Sequence, residues 1–202
     1  LMKWFLKLGS YLFHPLWMPF IGSFFYFYIT PRYIDIYVIK AQLLAIGIVT
    51  LLIPIIYFFM LKNMGLAQSI FLKNIKERRL PLLFFVILLL LLMNVIINRI
   101  DVPELYYFFG GILIASITNF LLALLKIKVS LHMVGVSGLA MFTIALSIHY
   151  NINLLAIISA LVIITGWVAS SRLYAKAHTV VEVILGIAIG FLPQLFLLKF
   201  WL

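Results

Sequence analysis

The sequence predicts an all-α, polytopic membrane bundle of six to seven transmembrane helices. Three observations carry this. Of the 202 residues, 66% are apolar and 10% charged, whereas a soluble domain is about half apolar and about a quarter charged. The apolar runs are continuous and close to the ~20 residues that span a bilayer, not the alternating pattern of transmembrane strands. The charges fall almost entirely between those runs, and mean hydropathy is +1.26. Too few charges remain to cover a soluble globule, solvate a disordered chain or bind nucleic acid. The absence of cysteine excludes disulfides, thiolate nucleophiles and Cys-ligated metals.

Reading from charge to charge places the elements in order. Residues 2–13 are basic and aromatic and are expected to lie at the membrane interface. They do not read as a signal peptide, because no small-residue cleavage site follows and the chain leads straight into more membrane sequence. A short first span over 16–29 is bounded by Pro15 and interrupted by Pro19, so it is expected to tilt or re-enter. The second covers 36–61, with Pro54 able to kink it. The remaining spans cover 80–97, 105–125, 131–148, 154–169 and 180–198. No soluble domain, long linker or internal repeat interrupts them. The chain reads as one membrane domain, with N-terminal helices over 1–100 and the chemistry over 101–202.

Seven crossings put the N-terminal end and the second, fourth and sixth connections on one side. That side collects Lys3, Lys7, Lys62, Lys73, Lys76, Arg78, Arg79, Lys126, Lys128, Arg172 and Lys176, eleven of fifteen bases. The opposite side holds Arg32, Arg99 and Lys199 with Asp35, Asp101 and Glu104. The positive-inside rule makes the first side cytoplasmic. The expected location is the inner (cytoplasmic) membrane of a bacterium.

Two connections on that side carry chemistry. One is Lys126-Ile-Lys128-Val-Ser130-Leu-His132; the other runs from Ser171-Arg172 through His178 to Glu182. His178 and Glu182 are four apart and share a helix face. A carboxylate behind an imidazole fixes its tautomer and raises its basicity. Arg172 offers a planar fork of donors suited to phosphate oxygens. Ser130 and His132 begin a helix, where free amides favour an anion, and Lys126 and Lys128 add point charge. Together they read as a pocket for a phosphate at the membrane surface.

The run Ser171-Arg172-x5-His178-x3-Glu182, followed by Val183 and Gly186, resembles the third signature of the type 2 phosphatidic acid phosphatase (PAP2) superfamily, with Glu for the usual Asp. Ser130-Leu131-His132 resembles the second signature, Pro-Ser-Gly-His. The first, Lys-x6-Arg-Pro, has no counterpart at 126–128. Arg78-Arg79-Leu80-Pro81 lies two helices earlier on the same side, so Arg78 or Arg79 is expected to supply the missing cation. The resemblance covers about residues 105–198 and implies a lipid phosphate or pyrophosphate phosphatase without metal or cofactor. His178 would attack phosphorus to form a phosphohistidine, with Glu182 orienting it. His132 would protonate the leaving group. Arg172, Ser130 and Ser171 would hold phosphate oxygens, with Lys126, Lys128 and Arg79 adding charge. Membrane lipids, among them a lipid phosphate substrate, are the implied partners, and no nucleic acid.

Two alternatives remain open. One is a catalytically degenerate member that binds lipid or serves as a subunit of a membrane complex. The other, more remote, is a rhomboid-like serine protease, because Gly135-Val-Ser137-Gly138 reads as Gly-x-Ser-Gly with His178 as a distal base. His14 and His149 lack motif partners and read as interfacial. Asn94, Asn98, Ser116, Thr118 and Asn119 read as residues that hydrogen-bond between helices.

Overall fold

The computed structural model describes residues 2–68 and 74–202, with residues 2, 3 and 7 described by backbone alone. Lys73, counted above among the site-side bases, lies outside the described residues. Every regular element is helical, and among the described residues there is no strand. The chain begins with α1 (Met2–Leu12), which packs along α8, and α2 (Trp17–Ile29). Asp35 starts α3 (Ile36–Gly47) by accepting the Tyr37 amide at 2.7 Å, an N-cap bond that satisfies one orphan donor. A π-helical turn, Ile48–Leu52, joins α3 to α4 (Ile53–Asn63). Pro54 explains the turn: it has no N–H for the Thr50 carbonyl and its ring crowds that carbonyl, so the helix widens rather than breaks.

A 3-10 turn, Ile75–Arg78, leads into α5 (Arg79–Val95). Then come α6 (Pro103–Leu124), α7 (Leu131–His149), α8 (Leu155–Tyr174) and α9 (Val180–Leu197), closed by a 3-10 turn at Leu198–Phe200. Among the described residues, six segments are long and apolar enough to cross a membrane: Ile36–Asn63, Ile75–Val95, Pro103–Leu124, Leu131–His149, Leu155–Tyr174 and Val180–Phe200. This is an integral membrane protein. At 13 residues, α2 is short; it rises about 20 Å, against a hydrocarbon core of ~30 Å. It nevertheless runs from one polar end of the bundle to the other.

Between helices in lipid there is no water to expel, so close packing and hydrogen bonds decide which faces meet. The most extensive contact is α7 on α9, and glycine makes it. A Cβ at Gly186 would stand 2.7 Å from the Ser130 carbonyl, and one at Gly190 would stand 2.2 Å from both the Val134 carbonyl and Ser137 Oγ. Larger residues there would push the two helices apart. A second layer of large side chains, including Tyr26, Ile46, Phe108, Phe109 and Phe142, fills the bundle toward its far end.

That far end is pinned by Glu104, which is 0% exposed. Its carboxylate accepts from Tyr26 Oη at 3.0 Å, His149 Nε2 at 3.0 Å and Arg32. His149, read above as lacking motif partners, is therefore a partner of α6. The expected interhelical amides also behave differently. Asn94, Thr118 and Asn119 each donate to the carbonyl four residues earlier in their own helix, and Asn98 caps the Ile100 amide. The bonds that cross helices come from elsewhere, as with Gln194 Nε2 to the Phe108 carbonyl at 2.9 Å.

Candidate active site

The site is built where α6, α8 and α1 end and α7 and α9 begin. Lys126 and Lys176 adopt left-handed backbones, with φ of 63° and 48°. Each follows the last turn of its helix and lets the next amide bond backward: Ile127 N–H to the Leu122 carbonyl at 2.8 Å, and Ala177 N–H to the Arg172 carbonyl at 3.1 Å. Lys126 is thus a helix-terminating residue with an exposed side chain, and it does not line the cavity described below.

The two connections are tied directly to each other. Ser130 N–H donates to the Glu182 carbonyl at 3.1 Å, and Lys128 Nζ donates to the Ala177 carbonyl at 2.8 Å. Burial pushes the Lys128 ammonium below its ordinary pKa, with Glu182 opposing that shift. Thr179 caps α9 by accepting the Glu182 amide at 3.3 Å. Ser130 is fully buried, and among the described residues its hydroxyl has no hydrogen-bond partner.

His178 Nδ1 lies 2.5 Å from Glu182 Oε2. A carboxylate only accepts, so Nδ1 carries the proton and Nε2 keeps its lone pair. The side chain of His178 is almost entirely buried. Burial lowers its pKa from 6.5 to about 4; Glu182 opposes the shift, and Arg78, Arg172 and Lys128 reinforce it. At neutral pH His178 is a neutral imidazole with Nε2 unprotonated.

A cavity of about 450 Å³ opens from this cluster into the bundle. His14, Arg78, His132, Arg172 and His178 form its polar end. Beyond them its walls are mainly apolar and run past Leu51, Pro54, Phe85 and Leu139 to Phe108 and Gln194. The π-helical turn and Pro54 therefore shape its wall. Two buried guanidiniums and Lys128 face a single carboxylate, Glu182, so the polar end carries a surplus of positive charge suited to a dianion.

The candidates from sequence divide. His132, Arg172 and His178 line the cavity together; Glu182, Lys128 and Ser130 sit behind them. Arg79 does not join them. Its guanidinium bonds the Ala123 and Leu124 carbonyls at 3.2 and 3.3 Å, closing the end of α6. Arg78 is the one that turns in, donating to the Val129 carbonyl at 2.8 Å while lining the cavity. Ser171 Oγ bonds Ser10 Oγ at 2.6 Å and is not a cavity residue. Ser137 Oγ is held by the Met133 and Ile187 carbonyls at 2.6 and 3.1 Å, without a bond to His178, so no serine–histidine dyad forms.

The sequence reading missed α1. Ser10 bridges the site: its hydroxyl accepts from Arg172 at 3.2 Å, and its carbonyl accepts from His132 Nε2 at 3.0 Å. His14, read above as lacking motif partners, lines the cavity edge-on to His132 with ring centroids 5.4 Å apart. Leu16 N–H donates to His14 Nδ1 at 3.4 Å, which leaves the neutral ring's proton on Nε2. Burial, with Arg172, lowers the His14 pKa to about 4. A signal did exist: Ser10 and His14 are four apart at the end of a basic, aromatic segment that stops at Pro15. Stacking of Phe5 on Trp167 (centroids 4.6 Å apart) and the bond from Trp167 Nε1 to the Phe5 carbonyl hold α1 on α8.

Among the described residues, no three His, Asp or Glu side chains converge as metal ligands. Comparison with family models, with curated proteins and with solved structures returns no match.

Proposed function

We propose that the protein is a PAP2-type phosphatase of lipid phosphates, working through a phosphohistidine on His178. The observation that carries this reading is the 2.5 Å bond from His178 Nδ1 to Glu182, which leaves Nε2 as a lone-pair nucleophile beside two cavity-lining arginines. Phosphoryl transfer asks the protein chiefly for positioning and charge stabilisation. Arg78 and Arg172 supply both for the equatorial oxygens. Nε2 attacks phosphorus as the bond to the lipid oxygen breaks, and that oxygen takes its proton from a cavity imidazole, His132 or His14, charged by the phosphate dianion bound beside it. Water then attacks the phosphohistidine, returns a proton to the same imidazole and releases inorganic phosphate. The apolar walls take the lipid chain. The basic residues at this end support a cytoplasmic face for it, as expected for a bacterial inner membrane protein.

A second reading, a lipid-phosphate-binding subunit of a membrane complex without turnover, is favoured by one observation. His132 Nε2 and Arg172 are already bonded to Ser10. Phosphate release by purified protein from short-chain phosphatidic acid and from an isoprenyl pyrophosphate separates the two. The phosphatase reading expects turnover that His178→Ala abolishes. Turnover that survives His178→Ala, or none in the wild type, overturns it.

A further inference from the structure

Ser10 stands behind the side chains that face the cavity, not among them. It is buried near the end of α1 and does not line the cavity, whereas His132 and Arg172 both do. Its carbonyl lies 3.0 Å from His132 Nε2. A carbonyl only accepts, so the neutral ring carries its proton on Nε2 and its lone pair on Nδ1. Among the described residues nothing bonds Nδ1, and it is not one of the buried atoms left without a partner, so it keeps accessible surface on a ring that lines the cavity. His14 is arranged differently. Leu16 N–H points at its Nδ1 at 3.4 Å, so a second proton on that ring would meet a donor. The Ser10 hydroxyl completes the arrangement: it accepts from Arg172 Nη1 at 3.2 Å and shares a hydrogen with Ser171 Oγ at 2.6 Å. One residue thus aims an imidazole and a guanidinium, as Glu182 aims His178.

We infer that Ser10 is a positioning residue for proton transfer: its carbonyl keeps a proton on His132 Nε2, so that Nδ1 is the atom that exchanges protons with the lipid oxygen and with water. The inference rests on the phosphatase reading. With the dianion bound, His132 carries protons on both nitrogens. The Nδ1 proton passes to the lipid oxygen as its bond to phosphorus breaks, and the ring is left neutral with Nε2–H still on Ser10. Water that attacks the phosphohistidine returns a proton to Nδ1, which restores the starting state. α1 is thereby part of the reaction apparatus, and Trp167 holds it there: a Cβ at Gly9 would stand 3.2 Å from that indole.

The test compares two substrates of the purified full chain in detergent. Short-chain phosphatidic acid leaves as an alkoxide and needs the proton; p-nitrophenyl phosphate leaves as a stable phenolate and does not. Gly9→Leu, which wedges α1 off Trp167, is expected to lower kcat on the lipid by about 10²-fold or more and to leave kcat on the aryl ester nearly unchanged, the same pattern as His132→Ala. Ser10→Ala keeps the carbonyl and loses only the acceptor for Arg172, so it is expected to raise KM on both substrates alike, and Ser10→Thr to restore it. Equal losses of kcat on the two substrates in Gly9→Leu, or no loss on either, overturn the inference, while wild-type turnover leaves the phosphatase reading standing. A wild type that turns over neither substrate overturns both. Nitrogen NMR of histidine-labelled wild type decides even if Gly9→Leu does not fold, with the His132 signals identified by their loss in His132→Gln. A neutral His132 protonated on Nε2 is expected, and one protonated on Nδ1 overturns the inference.

Discussion

The amide of Ser130 donates to the carbonyl of Glu182 at 3.1 Å, joining two connections that lie fifty residues apart in sequence. The bond brings the start of α7 to the start of α9, and with them His132 and His178 to one cavity. The bond from Lys128 to the Ala177 carbonyl helps hold the two loops together, and the approach of α7 and α9 at glycine makes it possible.

Gly190→Leu is therefore expected to damage the site from a distance. Its side chain would drive into the Val134 carbonyl and Ser137 Oγ, and overpacking of this kind costs about 1–3 kcal/mol. The thermal midpoint in detergent should fall, and phosphate release should fall with it as Ser130 and Glu182 part. Gly166→Ala is the matched control, since a Cβ there meets nothing within 4 Å. It should leave the midpoint unchanged or raise it, because Ala is the better helix former. Equal behaviour of the two variants would show that α7–α9 contact does not assemble the site.

Glu182 is one methylene longer than the Asp of the signature it resembles, yet its carboxylate reaches His178 at 2.5 Å. Glu182→Asp is thus expected to lower kcat on the order of 100-fold by withdrawing the carboxylate about 1 Å or more. Glu182→Gln removes the charge and allows the wrong tautomer, with an expected loss of about 10²–10⁴ in kcat. Single-turnover phosphate release measures both. An Asp variant as fast as the wild type would mean that the relay geometry is not what limits the reaction.

The pH dependence follows from burial. His178 has its pKa lowered from 6.5 to about 4, so the nucleophile stays neutral well below the range where a solvated histidine charges. The limb of the kcat/KM profile that belongs to the nucleophile should fall only as pH approaches about 4. Stability moves the same way. The folded state binds fewer protons than the unfolded one at His178 and His14, so the stabilisation is complete above 6.5 and is lost as pH falls through about 4. A profile with its acid limb near 6.5 would place His178 in solvent instead.

Much of this was legible in the sequence, and the reasons for the rest are physical. Helix number and parity follow from apolar runs longer than a soluble protein can cover. The His178–Glu182 pairing follows from four-residue spacing on one helix. Arg78 and Arg79 could not be told apart in that way: neighbours on a helix point about 100° apart, and only the packing of α5 on α6 decides which turns inward. Ser10 and His14 were hidden for a different reason. Their partners, Arg172 and His132, lie more than a hundred residues away, and no local pattern encodes the docking of α1 on α8.

The far end offers a test of what holds the bundle without touching the site. Glu104 is 0% exposed and accepts from Tyr26, His149 and Arg32, so it joins α2, α6 and α7 at one point. Glu104→Leu leaves the buried Tyr26 hydroxyl and the half-buried His149 ring without that acceptor. Removing one partner of a buried ionic cluster costs about 3–5 kcal/mol, and the thermal midpoint in detergent should drop accordingly. Arg32 is 41% exposed in its side chain, so solvent screens its part of the cluster. Arg32→Gln should cost no more than about 1 kcal/mol. Because the phosphate end lies across the bundle, phosphate release per folded molecule should be the same in both variants as in the wild type. If Glu104→Leu is as stable as the parent, the carboxylate does not hold α2 in place and its packing on α3, α6 and α7 anchors it.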